Sequence, residues 1–213
     1  MRAVVIGALG PVFSAGHDLR ELAGDDAAAH ERIFAACAEL MLAVHRLPVP
    51  VIARVQGLAT AAGCQLVAAC DMAVAAEGAR FATPGVRIGL FCTTPMVEVA
   101  RAVGRSRAAS MLYTGDPIDA ATARAWGLVT YVVPAAALER EAAALAERVA
   151  SSSRSALAIG KRALAENLDL PLDQAYAHAS RAMCVNAGTP DAQEGIDAFL
   201  TKRDPVWTHG APP

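Results

Sequence analysis

Two short stretches hold residue types that could do chemistry: FSAGHDL at residues 13–19 and GLATAAGCQL at residues 57–66. Each joins small residues to the start of a helix, so main-chain N–H groups can face one oxygen with no side chain in the way. Two such donors meeting at one carbonyl would stabilise the charge that develops there when a neighbouring proton leaves. Removing one donor of this kind typically costs about 3–4 kcal/mol of transition-state stabilisation.

The side chains that could move the proton are few. His17 carries an imidazole that titrates in the useful range; the plainer reading turns its ring away and uses only its N–H. Asp18 follows in the same loop and reads more simply as a cap or a partner for a nearby N–H. Glu98 sits on a predicted helix, where an ion pair or exposure is the commoner fate. Cys64 stands near a helix N-terminus, which lowers a thiol pKa, but small buried cysteines usually just pack. Gln65 can orient a water or hold a chain by hydrogen bonding, yet an amide accepts no proton near neutral pH. Phosphate-binding GxxxxGK[ST], GxGxxG and HExxH patterns are missing. Residues 104–108, GRSRA, lack the second glycine of a nucleophile elbow, so Ser106 reads as an ordinary helix serine.

The elements that must position these loops follow from periodicity and punctuation. Residues 2–8 read as a strand, entered directly from Met1, so that the first part of the fold is expected to be missing or completed by a neighbour. Asp25 or Asp26 caps a helix reaching about Leu47, with Ile33, Phe34, Cys37, Leu40, Met41 and Val44 on its apolar face. Residues 51–57 read as a strand, 61–70 as a short helix, 71–76 as a strand and 80–90 as a strand and loop. Helices are predicted over 96–103, 120–125 and 136–150, with a strand at 128–133 between the last two. From Ser155 on the pattern is all helix, over 156–167, 172–186 and 191–202, with Asp173 and Asp191 near helix starts. Alternating strands and helices followed by helices alone predict an α/β core with a helical C-terminal region. The expected division is 1–134 for the core and 135–213 for the helices.

The 213 residues carry a net charge of −2, 54% hydrophobic residues and 19% charged ones, so one folded domain is expected and nucleic acid is not a partner. The five cysteines form no metal-ligand spacing, no run is long enough to cross a bilayer, and no metal is expected. An odd cysteine count points to a reducing compartment, the cytoplasm.

Four ordered segments resemble one family, the crotonase or enoyl-CoA hydratase/isomerase superfamily, over nearly the whole chain. RAVVIGALGPVFSAGHDLREL is similar to its strand and first oxyanion loop. PVPVIARVQGLATAAGCQLVAACDMAVAAEGARFATPGVRIGL is similar to the second oxyanion loop and catalytic segment. YTGDPIDAATARAWGLVTYVVP matches the family run TG-x-x-I-x-A-x-x-A-x-x-x-GLV, and EGIDAFLTKRDPVW its C-terminal helix and tail. The resemblance implies a spiral of ββα turns, here without its first turn, and helices that build a homotrimer or a hexamer of two trimers. It implies an acyl-CoA thioester ligand, with coenzyme A as part of the substrate and no separate cofactor. Carried over by position, the oxyanion N–H groups fall on His17 and Ala62. Ala15, Gly16, Asp18, Leu19 and Gly63 fall around the substrate, while Lys202 and Arg203 fall where a neighbouring subunit's CoA phosphates would lie. The two glutamates that position water and move a proton in the family's hydratases fall on Gln65 and Gly85. Residues 92–94, where some dienoyl isomerases carry an aspartate, hold no acid either. The resemblance thus implies enolate chemistry with a different base, or a non-catalytic acyl-CoA binder or assembly partner.

Overall fold

The computed structural model describes residues 1–208, so residues 209–213 of the helical region expected over 135–213 lie outside the described residues. The chain forms two compact units. The larger comprises Val5–His45 and Val51–Ala144; the smaller gathers Met1–Val4, Arg46–Pro50 and the chain from Leu145 onward.

The larger unit repeats one pattern. Strands β1 (Val4–Gly7) and β2 (Val12–Ser14) lead to helix α1 (Ala27–Arg46). Strands β3 (Val51–Val55) and β4 (Leu58–Thr60) lead to α2 (Ala62–Ala69). Strands β5 (Met72–Ala76) and β6 (Arg80–Ala82) lead through a 3-10 turn, Pro84–Ile88, to α3 (Thr93–Val103) and α4 (Arg105–Thr114). Strand β7 (Ile118–Asp119), α5 (Ala120–Trp126) and β8 (Tyr131–Val133) follow. The first strand of each pair joins one sheet, ordered β1-β3-β5-β8, and the second joins another, ordered β2-β4-β6-β7. Each ββα unit therefore makes one turn of a spiral. The β3–β5, β5–β8, β2–β4 and β4–β6 pairs are parallel, and β6–β7 is antiparallel.

Burial explains the strand sequences. VIARV in β3 and MAVAA in β5 are almost wholly buried, as expected of parallel strands covered on both faces. Alanines at 53, 73 and 75 let the layers approach closely around Val55, Val67, Phe81 and Val99. Asp26, of the two candidates, caps α1: its Oδ1 accepts the Ala29 N–H at 2.9 Å. Met41 and Val44 of the expected apolar stripe are buried, while Leu40 stays half exposed.

Four elements were not legible as such. β2, β4 and β7 lie in stretches not read as strand, because each has only two or three residues and, unlike β8 within LVTYVV, no longer apolar run around it. α4 has a weak apolar stripe, RSRAASMLYT, and is held by buried Ala108, Met111 and Leu112.

In the smaller unit, α6 (Leu138–Ala150) ends, and α7 (Arg154–Asn167), α8 (Leu172–Ala187) and α9 (Pro190–Thr201) follow. Ser153 and Thr189 cap α7 and α9, each side-chain oxygen accepting an N–H at 3.2 Å. Asp191 does more than favour a helix start. It is buried, its Oδ2 accepting from the Ser153 hydroxyl at 2.6 Å and its Oδ1 from the Thr208 N–H at 2.8 Å. Trp207 donates from Nε1 to the Ser151 carbonyl at 2.8 Å. Large apolar side chains on α8 and α9, among them Leu172, Tyr176, Met183, Phe199 and Leu200, stay exposed. Among the described residues, no helix is long and apolar enough to cross a membrane.

Candidate active site

The site is built where the β2 loop meets the start of α2. Gln65 N–H closes the first helical bond on the Ala61 carbonyl at 3.1 Å, so the N–H groups of Ala62, Gly63 and Cys64 have no acceptor within the helix. Ala61, the N-cap, adopts φ 51° and ψ −120°, a conformation an alanine takes only when its surroundings impose it. Its own N–H is fixed on the Ala82 carbonyl at 2.9 Å. The strained residue thus sets the direction of the N–H that follows.

Two glycines allow the approach. Gly16 has φ +91°, and a Cβ there would lie 3.0 Å from Ala61 Cβ and 3.1 Å from the Ala62 nitrogen. At Gly63 a Cβ would overlap the Ser14 carbonyl oxygen and lie 2.6 Å from Ser14 Cβ, so only glycine lets the first turn of α2 touch the end of β2. The two loops singled out in the sequence therefore meet.

Two hollows of about 420 Å³ each adjoin this meeting point, and both are lined by His17 and Ala62. The first is largely apolar, with Ala15, Leu19, Phe34, Gly85, Leu90 and Phe91 in its wall. The second is lined by Gly16, Glu21, Cys37 and Leu66, among others. A carbonyl placed at the shared wall would have an apolar chamber on one side and a second channel on the other.

His17 packs its ring edge-on against Phe34, centroids 5.3 Å apart, and its Nε2 is buried without a hydrogen-bonding partner among the described residues. Phe34 shares the wall of the first hollow with His17, so this contact holds the imidazole beside that hollow. Asp18 is not in either wall. It grips Arg20 instead, Oδ2 to Nη2 at 2.6 Å, and those hydrogen bonds, side chain before backbone, hold its carboxyl below the usual range. Gly63 is not among the residues lining either hollow and packs against Ser14. Lys202 caps α9 in the smaller unit with φ 56°.

The two positions that differ from the family pattern have separate fates. Gln65 is 4% exposed, and its Oε1 accepts from the Cys37 thiol at 3.8 Å; it is not among the residues lining either hollow. Gly85 does line the first hollow, but a Cβ there would overlap the Leu90 carbonyl oxygen and lie 2.8 Å from Cys92 Sγ. The turn through Leu90, whose N–H bonds the Gly85 carbonyl at 3.0 Å, fills the space a side chain would need.

Other candidates resolve plainly. Glu98 accepts from His45 Nε2 at 3.1 Å. Cys64 is fully buried, and burial, then the neighbouring Cys92 thiol, push its pKa up to about 12, which leaves it inert as a nucleophile. Ser106 is exposed on the first turn of α4. Among the described residues, no aspartate or glutamate lines the first hollow. Glu21 lines the second hollow together with His17, and its N–H closes a turn on the Asp18 carbonyl at 3.0 Å; no motif in the sequence marks it. Among the described residues, no group of three or more His, Cys, Asp or Glu could hold a metal.

Comparison with known proteins bears on the family and the fold. The family model for enoyl-CoA hydratase/isomerase matches residues 1–210. Mitochondrial enoyl-CoA hydratase domain-containing protein 3 of Rattus norvegicus is 51% identical over 210 residues, covering 98% of this chain and 70% of that protein. The crystal structure of the human protein of that name superposes with a TM-score of 0.95 at 50% identity, covering 97% of this chain and 82% of that one. An enoyl-CoA hydratase structure from Mycobacterium smegmatis gives a TM-score of 0.94 at 48% identity, over 97% and 80%. On these matches, and with the ββα spiral in place, the chain belongs to the enoyl-CoA hydratase/isomerase family.

Proposed function

We propose that the chain binds an acyl-CoA thioester with its carbonyl oxygen between the N–H groups of His17 and Ala62, and stabilises the enolate formed when the α-proton leaves. The approach of Gly16 to the Ala62 nitrogen carries this reading, because it brings the two donor loops to one point. The positive end of α2 adds to the field at the same oxygen. The acyl chain occupies the apolar hollow beside Leu19, Phe34 and Phe91, and the rest of the thioester leaves by the second. Coenzyme A enters as part of the substrate, and no separate cofactor takes part.

The proton is moved by a group other than residues 65 and 85. An amide and a glycine cannot do it, so hydration by a glutamate pair is not the reaction proposed; enolate chemistry α to the thioester is. A second reading, a binder without turnover, is favoured by the packing of Gly85 against Leu90 and Cys92. The exposed apolar side chains of α8 and α9 support assembly into a homotrimer or hexamer. Five unbonded cysteines suit a reducing interior such as the cytoplasm, while the similar protein of Rattus norvegicus is named as mitochondrial.

Mixing the protein with a four-carbon 2-enoyl-CoA, while following the enoyl absorbance and the heat of binding, separates the readings. Binding with turnover supports the enzyme, and binding alone supports the second reading. No saturable binding of any acyl-CoA would remove both.

A further inference from the structure

A cavity of about 290 Å³ lies in the helical unit, in the seam between α7 and α8. α7 contributes Ile159, Arg162, Ala163 and Glu166, and α8 contributes His178, Arg181, Ala182 and Val185. Each set falls at i, i+3, i+4 and i+7, one face of one helix. The seam is therefore layered, with Glu166 bound to His178 Nε2 at 2.8 Å at one end. In the layers where larger side chains would close such a seam, two alanines leave space.

The electrostatics of this space are unbalanced. Glu166, the one carboxylate in the wall, is engaged by His178. Among the described residues, neither Arg162 nor Arg181 has a carboxylate partner, and His178 Nδ1 is buried without a hydrogen-bonding partner. Arg162 and Arg181, on facing helices and both exposed, give the mouth of the cavity two positive charges. Their planar forks suit the oxygens of a phosphate or carboxylate. The cavity is at the small end of ligand sites, roughly 300 Å³ and upward, yet larger than a bare ion requires, and its floor of Ile159, Ala163, Ala182 and Val185 is apolar.

We propose that this seam binds a small phosphorylated organic anion, its phosphate held by Arg162 and Arg181 and its organic part resting on Ala163 and Ala182. The site is independent of the thioester reading, since it lies wholly within the helical unit. A sugar phosphate fits its chemistry and size better than a long-chain acid, for which the space is too short.

The test is a titration of the full chain with inorganic phosphate, ribose 5-phosphate and acetate, followed through the His178 imidazole resonances, which His178→Gln identifies. Saturable binding is expected for both phosphates, with ribose 5-phosphate at least tenfold tighter than the inorganic ion. Arg162→Gln and Arg181→Gln should each weaken it tenfold or more. Both side chains are exposed, so the circular dichroism of the variants should match the parent. Acetate binding as tightly as phosphate would overturn the assignment, as would phosphate binding undiminished in both variants. Association of the chain with itself, lost in Arg162→Gln without any phosphate binding, would make an acidic group of a second copy the occupant and also overturn it.

Discussion

The first carbon of a side chain at Gly16 would lie 3.1 Å from the main-chain nitrogen of Ala62. These residues belong to different turns of the spiral, and their approach depends on the positive φ of Gly16 and on the imposed conformation of Ala61. The contact is tight, with Ala61 Cβ at 3.0 Å and Thr60 O at 3.3 Å from the same point, so a side chain there would require its neighbours to shift.

Gly16→Val should therefore damage the site directly. The positive φ alone costs a non-glycine residue about 1–2 kcal/mol, and the added methyls push the two loops apart. Calorimetric affinity for a short acyl-CoA should fall at least tenfold in a chain that still folds. An unchanged affinity would detach the ligand from these loops.

Restoring the missing acid at residue 85 should fail. Gly85→Glu forces a Cβ into the Leu90 carbonyl and against Cys92 Sγ, and overpacking of this kind costs about 1–3 kcal/mol. The expected result is a lower urea midpoint with no gain in enoyl-CoA hydration. A variant as stable as its parent that hydrates faster would contradict it.

Thiol reactivity should follow burial. Cys64 has a pKa pushed up to about 12, first by desolvation, and Cys184 is exposed. Brief alkylation of the native protein near neutral pH, read by peptide mass spectrometry, should label Cys184 and spare Cys64 until the chain is unfolded. Labelling of Cys64 in the native state would count against its packing.

The C-terminal tail should loosen in acid. The Arg203 guanidinium first, and then the Val206 N–H, hold the Glu194 carboxyl down to about 2. A carboxyl whose folded pKa is lowered stabilises the fold above its unfolded pKa, about 4.3, and loses that contribution as pH falls through the folded value. The difference in Tm between the parent and Glu194→Gln should be constant at higher pH and shrink toward zero between about pH 4.3 and 2. A difference independent of pH would show that the ion pair is not its source.

Much of the fold was legible because its signals are local. The stripe of α1, the buried runs of β3 and β5 and the three C-terminal helices appear in periodicity, and Asp26 and Pro48 mark where α1 begins and ends. β2, β4 and β7 left no such trace: a strand of two or three residues exists only because a parallel or antiparallel neighbour supplies its hydrogen bonds. Asp191 was legible as a helix-start residue, but not as the buried carboxylate that joins Ser153 to Thr208, since its partners are distant in sequence.

The order of residues alone determined that small, glycine-bearing bends precede helices at residues 13–19 and 57–66, and that residues 65 and 85 carry no proton-accepting side chain. Those are properties of residue type, which no folding can alter. Only the tertiary structure decided that the two bends meet, that Gln65 is sealed beside Cys37 while Gly85 faces the hollow, and that the His17 ring turns onto Phe34. Each of these depends on close packing between segments remote along the chain, where a few tenths of an ångström separate a contact from a clash.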